Sequence, residues 1–360
     1  MPSKINVCIG GAAGIDYSKD KHGKFNNQLL AFLDDSGFAI CDMEKSDIFL
    51  LINYSSSAYR KYKTLGKDIN KCILLRTEPE SIFPAQYKLR VTRKFGLVIT
   101  TGQQLEEKDN LFYVCHPYSY LKNPNLQMSP SPSIDSILES KEFDDLFNLE
   151  NWWRRPIIVS LIAGNKVSCQ NNSNYALRRK LAANFNPNLL EVYGEMWNKQ
   201  YTKKLLHRLG VILHCLRNFT LPNLKSVYGS FFHEYKTFKN KLDDKHSVVK
   251  QSKFSLIVEN SNTYVSEKLF DAMINGSIPI YFGPNLDEIG IPSIKLVLNL
   301  NSSLVQVEKK ILSITKLEVL QYLESIKSFL RSDVFLNDWL DQGVYAKISD
   351  KIRSHYEGNA

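Results

Sequence analysis

The stretch that most constrains this chain runs from Lys253 to Asn285, KFSLIVENSNTYVSEKLFDAMINGSIPIYFGPN. Residues 254–258 form a short apolar, β-rich run followed by turn residues, which predicts a buried strand. Residues 259–263 are a polar cluster and predict a loop. Near Val265 the apolar spacing becomes helical, with Thr263 or Ser266 as candidate N-cap and Leu269, Ala272 and Met273 on one face. Gly276 ends that helix, and residues 278–282 begin a second strand closed by Gly283-Pro284. Such a strand–loop–helix–strand unit gathers its polar groups at one strand's C-terminal end. Open α/β sheets bind ligands there, and a helix N-terminus at that place favours an anion. Lys268, one turn into the helix, adds a full positive charge. A Glu267–Lys268 pair on a solvated helix face would produce the same pattern, so the residues alone leave both readings open.

Three linked pieces decide between them: Glu259-Asn260-Ser261, then Tyr264-Val265-Ser266-Glu267-Lys268, then Gly276-Ser277-Ile278-Pro279-Ile280-Tyr281-Phe282-Gly283. In that order they resemble the donor-binding signature of the α1,3-fucosyltransferase family: ENS, a spacer, YV(T/S)EK, then GxxPVxxG. The spacer here, Asn262-Thr263, is shorter than is usual in the family. The resemblance covers roughly residues 70–300. It implies an α/β fold of two Rossmann-like domains facing a cleft, the arrangement called GT-B. It also implies inverting transfer of fucose from GDP-fucose to a hydroxyl of an acceptor glycan, with no metal required. By the same resemblance Glu267 holds the donor ribose, Asn260 and Tyr264 line its phosphate side, and Lys268 meets the diphosphate.

The chain as a whole fits this frame. Its 360 residues suffice for two domains, each with its own core. An apolar fraction of 43% with 23% charged residues describes a globular protein, not a disordered or coiled-coil one. No run approaches the ~18 apolar residues of a membrane helix, and the N-terminal apolar run is too short for a secretion signal. The six cysteines, Cys8, Cys41, Cys72, Cys115, Cys169 and Cys215, are scattered without zinc-like spacing, so buried free thiols in a reducing cytoplasm are expected. The net charge of +9 favours anionic partners. A nucleotide sugar meets that demand, and a peripheral contact at the inner membrane surface is a further partner class it allows. Nucleic acid is set aside, because no zinc-finger or RNP-type motif appears and the basic residues are spread out.

Reading from the N-terminus, residues 5–9, 47–52, 71–75 and 95–100 predict strands, with helices near 26–33 and 59–66 between them. Gly10-Gly11-Ala12-Ala13-Gly14 reads as a tight turn without the GxGxxG spacing. Arg76-Thr77-Glu78-Pro79-Glu80 follows the third strand. A carboxylate there is a modest signal by itself. The resemblance implies more: the family carries a glutamate in an ESP- or EN-type segment, read as the general base, and Glu78 matches it, with Glu80 as understudy. His116-Pro117-Tyr118-Ser119-Tyr120-Leu121 resembles the family's PYGYL-type segment.

Proline and serine between 123 and 133 mark a linker, and 135–149 is charged and helical. The domains are accordingly placed at 1–150 for the acceptor side and 151–325 for the donor side, with helices in 326–360 packing back on the first. In the second, residues 156–162 predict a strand and 175–185 a helix carrying Arg178 and Arg179. The family has an arginine on this strand–loop–helix that reaches the donor diphosphate, a task suited to a planar two-pronged donor. Arg178 is the favoured match and Arg179 the alternative. Leu205, Leu209, Ile212, Leu216 and Phe219 recur at helical spacing, and predict a core-packing helix in preference to a membrane-surface one. Two rival functions stay open. One is a related glycosyltransferase using another nucleotide sugar; the other is a non-catalytic glycan- or nucleotide-binding protein of the same fold, against which Glu78 counts.

Overall fold

In the computed structural model the apolar runs fold into two parallel sheets. The structure describes residues 4–11, 24–102, 110–118, 134–168, 170, 172–197, 201–217, 235–242, 244–293, 297–299 and 303–358. A parallel sheet is covered on both faces, so its strands read as continuous apolar runs and not as alternations. The chain divides into two units, Met1–Ser119 with Leu336–Ala360, and Tyr120–Phe335.

The first unit contains β1 (Ile5–Gly11), α1 (Lys24–Asp35), β2 (Phe38–Ile40), β3 (Ile48–Ile52), α2 (Ser56–Thr64), β4 (Cys72–Arg76), α3 (Leu89–Thr92), β5 (Leu97–Thr101) and β6 (Leu111–Val114). All pairings are parallel, in the order β2-β1-β3-β4-β5-β6. Strand period two splits the side chains between two cores. Val7, Ile9, Leu50, Ile52, Ile73 and Leu75 pack with Leu29 and Leu33 of α1. Cys8, Phe49, Leu51, Cys72, Leu74 and Val98 pack with Tyr59 and Tyr62 of α2. The C-terminal helix, Asp341–Gly358, sends Val344, Tyr345, Ile348 and Ile352 into the first of these cores. Gly10 and Gly11 belong to β1 and not to a turn. A Cβ on Gly10 would stand 2.9 Å from the Phe49 ring, so packing, not turn geometry, demands that glycine. The rest of that glycine-rich segment lies outside the described residues.

The second unit opens with α4 (Ile134–Leu138), α5 (Lys141–Leu146) and α6 (Leu149–Trp153). It continues through β7 (Ile157–Ile162), α7 (Tyr175–Asn184), β8 (Leu190–Tyr193), α8 (Tyr201–Arg217), α9 (Lys245–Lys250), β9 (Ser252–Val258), α10 (Glu267–Ile274), β10 (Ile278–Phe282), β11 (Leu298–Asn299), α11 (Leu304–Ser313) and α12 (Lys316–Leu330). Its sheet runs β11-β10-β9-β7-β8, again all parallel. The helices over 134–153 thus lie in this unit, although the proline-based boundary near 150 assigns them to the first. Arg155 ties them in: its guanidinium donates to Leu146 O at 2.8 Å, Ser252 O at 2.9 Å and Gly276 O at 2.8 Å. Trp152 meets Phe254 edge-on at 5.4 Å. The chain returns to the first unit at Leu336, after α12, because Phe335 packs its ring against Phe270 and Phe329.

The core-packing expectation for 203–217 needs correction. The helix α8 forms, but Leu205 and Leu209 are 49% and 45% exposed. Its inward side carries His207 and Arg208 instead. His207 Nε2 accepts from Val167 N–H at 3.2 Å, and Arg208, 1% exposed, donates to Asn165 O at 2.8 Å. The polar loop after β7 is what the helix covers, and polar side chains satisfy it. Leu216's side chain, Phe219, the linker at 123–133, Ser119-Tyr120-Leu121 and Cys169 lie outside the described residues. Cys8, Cys41, Cys72 and Cys115 form no disulfide. Among the described residues no helix is long and apolar enough to cross a membrane.

Candidate functional site

The second sheet reverses its strand order between β7 and β9: β8 follows β7 on one side, while β10 and β11 follow β9 on the other. At such a switch point the connections diverge from adjacent strand ends and leave a crevice for a ligand. A cavity of about 120 Å³ opens here. Its walls are Ser160–Ala163 at the end of β7, Ser255–Val258 of β9, Lys245 and Val249 of α9, and Glu267, Lys268, Asp271 and Ala272 of α10.

The N-terminus of α10 is built by its cap. Ser266 takes an extended backbone, and its hydroxyl accepts from Lys268 N–H at 3.4 Å. The same oxygen accepts from Lys268 Nζ at 2.9 Å, so the ammonium folds back over the first turn, with Glu267 Oε1 3.4 Å away. Every residue from Leu269 to Ile274 is buried, which packs the helix firmly behind its first turn. Lys245 forms an ion pair with Asp271, itself only 6% exposed. Burial works against the lysine's charge, but Asp271 and Glu267 outweigh it and hold its pKa above the ordinary value.

The loop between β9 and α10 is stitched to the loop before α7. Asn174 N–H donates to Asn260 O at 3.0 Å, Asn174 Nδ2 to Asn262 Oδ1 at 2.7 Å, and Ser261 bridges both Ser173 and Tyr264. The short Asn262-Thr263 spacer is therefore pinned at its first residue. Arg178 completes the join. Its Nη2 donates to Val258 O at 2.6 Å and Asn260 Oδ1 at 3.2 Å, and Nη1 to Gly164 O at 3.4 Å. At 3% exposure, burial depresses its pKa, with Tyr175, Glu259 and Glu267 opposing the shift. Arg179 is also buried but turns away, donating to Lys166 O.

Of the residues singled out from the sequence, the second unit thus joins Arg178 to Asn260 directly and places Glu267 and Lys268 together in the cavity wall. Tyr264 is 5% exposed, held in the loop at its bridge with Ser261. Sequence reasoning assigned nothing to Lys245, Asp271, Arg208 or Glu259. Glu259 carried a signal: an acid closing a wholly apolar strand is rarely buried unless a specific partner holds it.

Glu78 lies in the first unit, two residues past the end of β4. Asn53, at the end of β3 in the left-handed region (φ 54°), accepts from Thr77 N–H at 3.0 Å and Glu78 N–H at 3.4 Å. Gln86 Nε2 and the Tyr87 hydroxyl donate to Glu78 O at 3.0 and 2.9 Å. Burial pushes Tyr87 up to about 12, and its ring lies under the Arg76 guanidinium at 4.7 Å. The backbone at Glu78 is thus held from both sides at a strand's C-terminal end, with Glu80 half-buried nearby. Among the described residues no group of three His, Cys, Asp or Glu is arranged to hold a metal.

Over its whole length the chain superposes on a crystal structure of an α1,3-fucosyltransferase with GDP, with a TM-score of 0.54 at 15% identity, covering 92% of that chain. The chain has the GT-B fold. A second GT-B neighbour, Anabaena Alr3699/HepE in complex with UDP, matches 98% of this chain and 100% of its own, with a TM-score of 0.51 at 10% identity. No family model matches. A curated alpha-(1,4)-fucosyltransferase from Arabidopsis thaliana is 39% identical over 72 residues, which are 19% of this chain and 18% of that protein. The GT-B chain therefore resembles the fucosyltransferases in fold throughout and in sequence over a limited stretch.

Proposed function

We propose that the protein is an inverting glycosyltransferase that moves fucose from GDP-fucose to a hydroxyl of an acceptor glycan. The observation that carries this reading is the cavity at the β7/β9 switch point, walled by Lys268 and Glu267 at the start of a capped helix. Sugar transfer of this kind passes through an oxocarbenium-like state, so charge grows on the departing diphosphate as the anomeric bond loosens. Fixed cations and N–H groups lower the energy of that charge without reorganising. Lys268 and the first turn of α10 supply them, and Arg178 holds the loop that bears Asn260. Glu267 is assigned to the ribose, and Asn260 and Tyr264 to the phosphate side. Glu78 is assigned as the base that removes the acceptor proton.

A second reading, transfer from another nucleotide sugar, draws on the UDP in the Alr3699/HepE structure and on the short, pinned spacer at Asn262. Incubation with a panel of nucleotide sugars tests both, following melting temperature and release of nucleoside diphosphate. GDP-fucose should raise the melting temperature and be consumed. A response to a UDP sugar alone would move the assignment to the second reading, and a response to none would remove the transferase reading.

A further inference from the structure

Glu259 closes β9 and is fully buried. Its Oε1 accepts from Ser266 N–H at 3.0 Å, seven residues away across the loop. Its Oε2 has no hydrogen-bond partner among the described residues, and neither has the buried Tyr281 hydroxyl on the neighbouring strand. Gly283 shows how tightly these groups are placed: a Cβ there would come 2.4 Å from the Tyr281 hydroxyl and 2.7 Å from Glu259 Cγ. A carboxylic group is costly to bury, and burial pushes its pKa up while Lys268 opposes the shift. An apolar side chain would end β9 at lower cost if packing were all the position required. The bond to Ser266 is what such a replacement would lose. Ser266 in turn caps α10 and holds the Lys268 ammonium on its hydroxyl.

We propose that Glu259 is the positioning residue of the nucleotide site, acting through Ser266 N–H to set where Lys268 stands. It touches no substrate. The inference rests on the reading that Lys268 meets a diphosphate. What matters is an acceptor oxygen at the reach of a glutamate side chain, so the amide of glutamine serves and the shorter aspartate does not.

The test compares Glu259→Gln with Glu259→Asp in the full chain, measuring GDP and guanosine affinity by calorimetry alongside turnover. Glu259→Gln should bind GDP within about threefold of the parent. Glu259→Asp should bind GDP about ten- to a hundredfold more weakly, the range for leaving a buried donor unpaired, while guanosine affinity stays unchanged in both. Normal GDP affinity in Glu259→Asp would overturn the proposal. So would a loss confined to Glu259→Gln, which would make charge the requirement, or an equal loss of GDP and guanosine, which would make the role merely structural. If the parent binds no GDP, the nucleotide reading itself fails. The positioning claim is then read from hydrogen exchange at the amides of residues 266–268: faster in Glu259→Asp than in Glu259→Gln and the parent supports it, and equal rates overturn it.

Discussion

Arg178 separates two ways of building this site. Its guanidinium is 3% exposed and spends its Nη2 on Val258 O and Asn260 Oδ1, at 2.6 and 3.2 Å. Hydrogen bonds from a charged donor contribute roughly 1.5–3 kcal/mol each when buried, and the longer 3.4 Å contact to Gly164 O adds little. Removing both Nη2 bonds in Arg178→Ala should therefore cost about 3–6 kcal/mol. That is a large part of a typical domain's stability of about 5–15 kcal/mol. Arg178→Lys can reach only one of the acceptors and should lose about half as much. The assay is urea unfolding followed by tryptophan fluorescence, since three of the four tryptophans, Trp152, Trp153 and Trp197, lie in the second unit. The midpoint should fall with an unchanged slope, and GDP affinity should fall with it, because the loop carrying Asn260 loosens. If Arg178→Lys lost GDP affinity with no shift in the midpoint, Arg178 would be a free diphosphate ligand and its role as a loop clamp would be refuted.

Four other outcomes can be checked. Lys268→Ala should leave the fold intact and lower GDP affinity and turnover together, whereas retained turnover with normal affinity would return the pair to a solvated helix face. Glu78→Gln should preserve GDP affinity and slow transfer by roughly 10²–10⁴-fold, while Glu80→Gln stays mild; the reverse result would move the base to Glu80. Gly276→Ala should cost about 2–4 kcal/mol in unfolding free energy, because Gly276 has φ 65° and its new Cβ would fall 2.5 Å from Leu146 O. His207, pushed down to about 4 mainly by burial and then by Arg208, accepts from Val167 N–H and is neutral in the fold. The unfolded chain takes up that proton first, so stability should decline as pH falls from about 6.5 towards 4, a decline that His207→Gln should flatten in acid-unfolding curves.

How much of this was legible depended on the distance over which each residue finds its partner. The strand at Ser252–Val258, the cap at Ser266 and the buried triplet Leu269, Ala272 and Met273 follow from residues a few places apart. Gly276 stops α10 at a positive φ, again a local matter. Arg178 was different. From spacing alone it is one of two basic residues on a helix, and the acceptors that bury it, at Val258 and Asn260, lie 80 and 82 residues further along the chain. Helix α8 failed for a related reason. Its leucines promised a core face, but the loop at 163–167 presents backbone groups that His207 and Arg208 satisfy, and a periodicity of apolar residues cannot report polar partners on another element.

The same distinction explains why the motif and the topology point to one place without depending on each other. Strand order alone locates a crevice between β7 and β9, whatever side chains occupy it. The motif supplies Glu267 and Lys268 to its wall, whereas its first member, Glu259, is not part of that wall. A fully buried acid at a strand end is unfavourable for stability, so its presence calls for something the bond to Ser266 provides. That bond turns the loop from Glu259 to Ser266 into a fixed span between sheet and helix, and a fixed span is what lets a single lysine act as a placed charge instead of a mobile one.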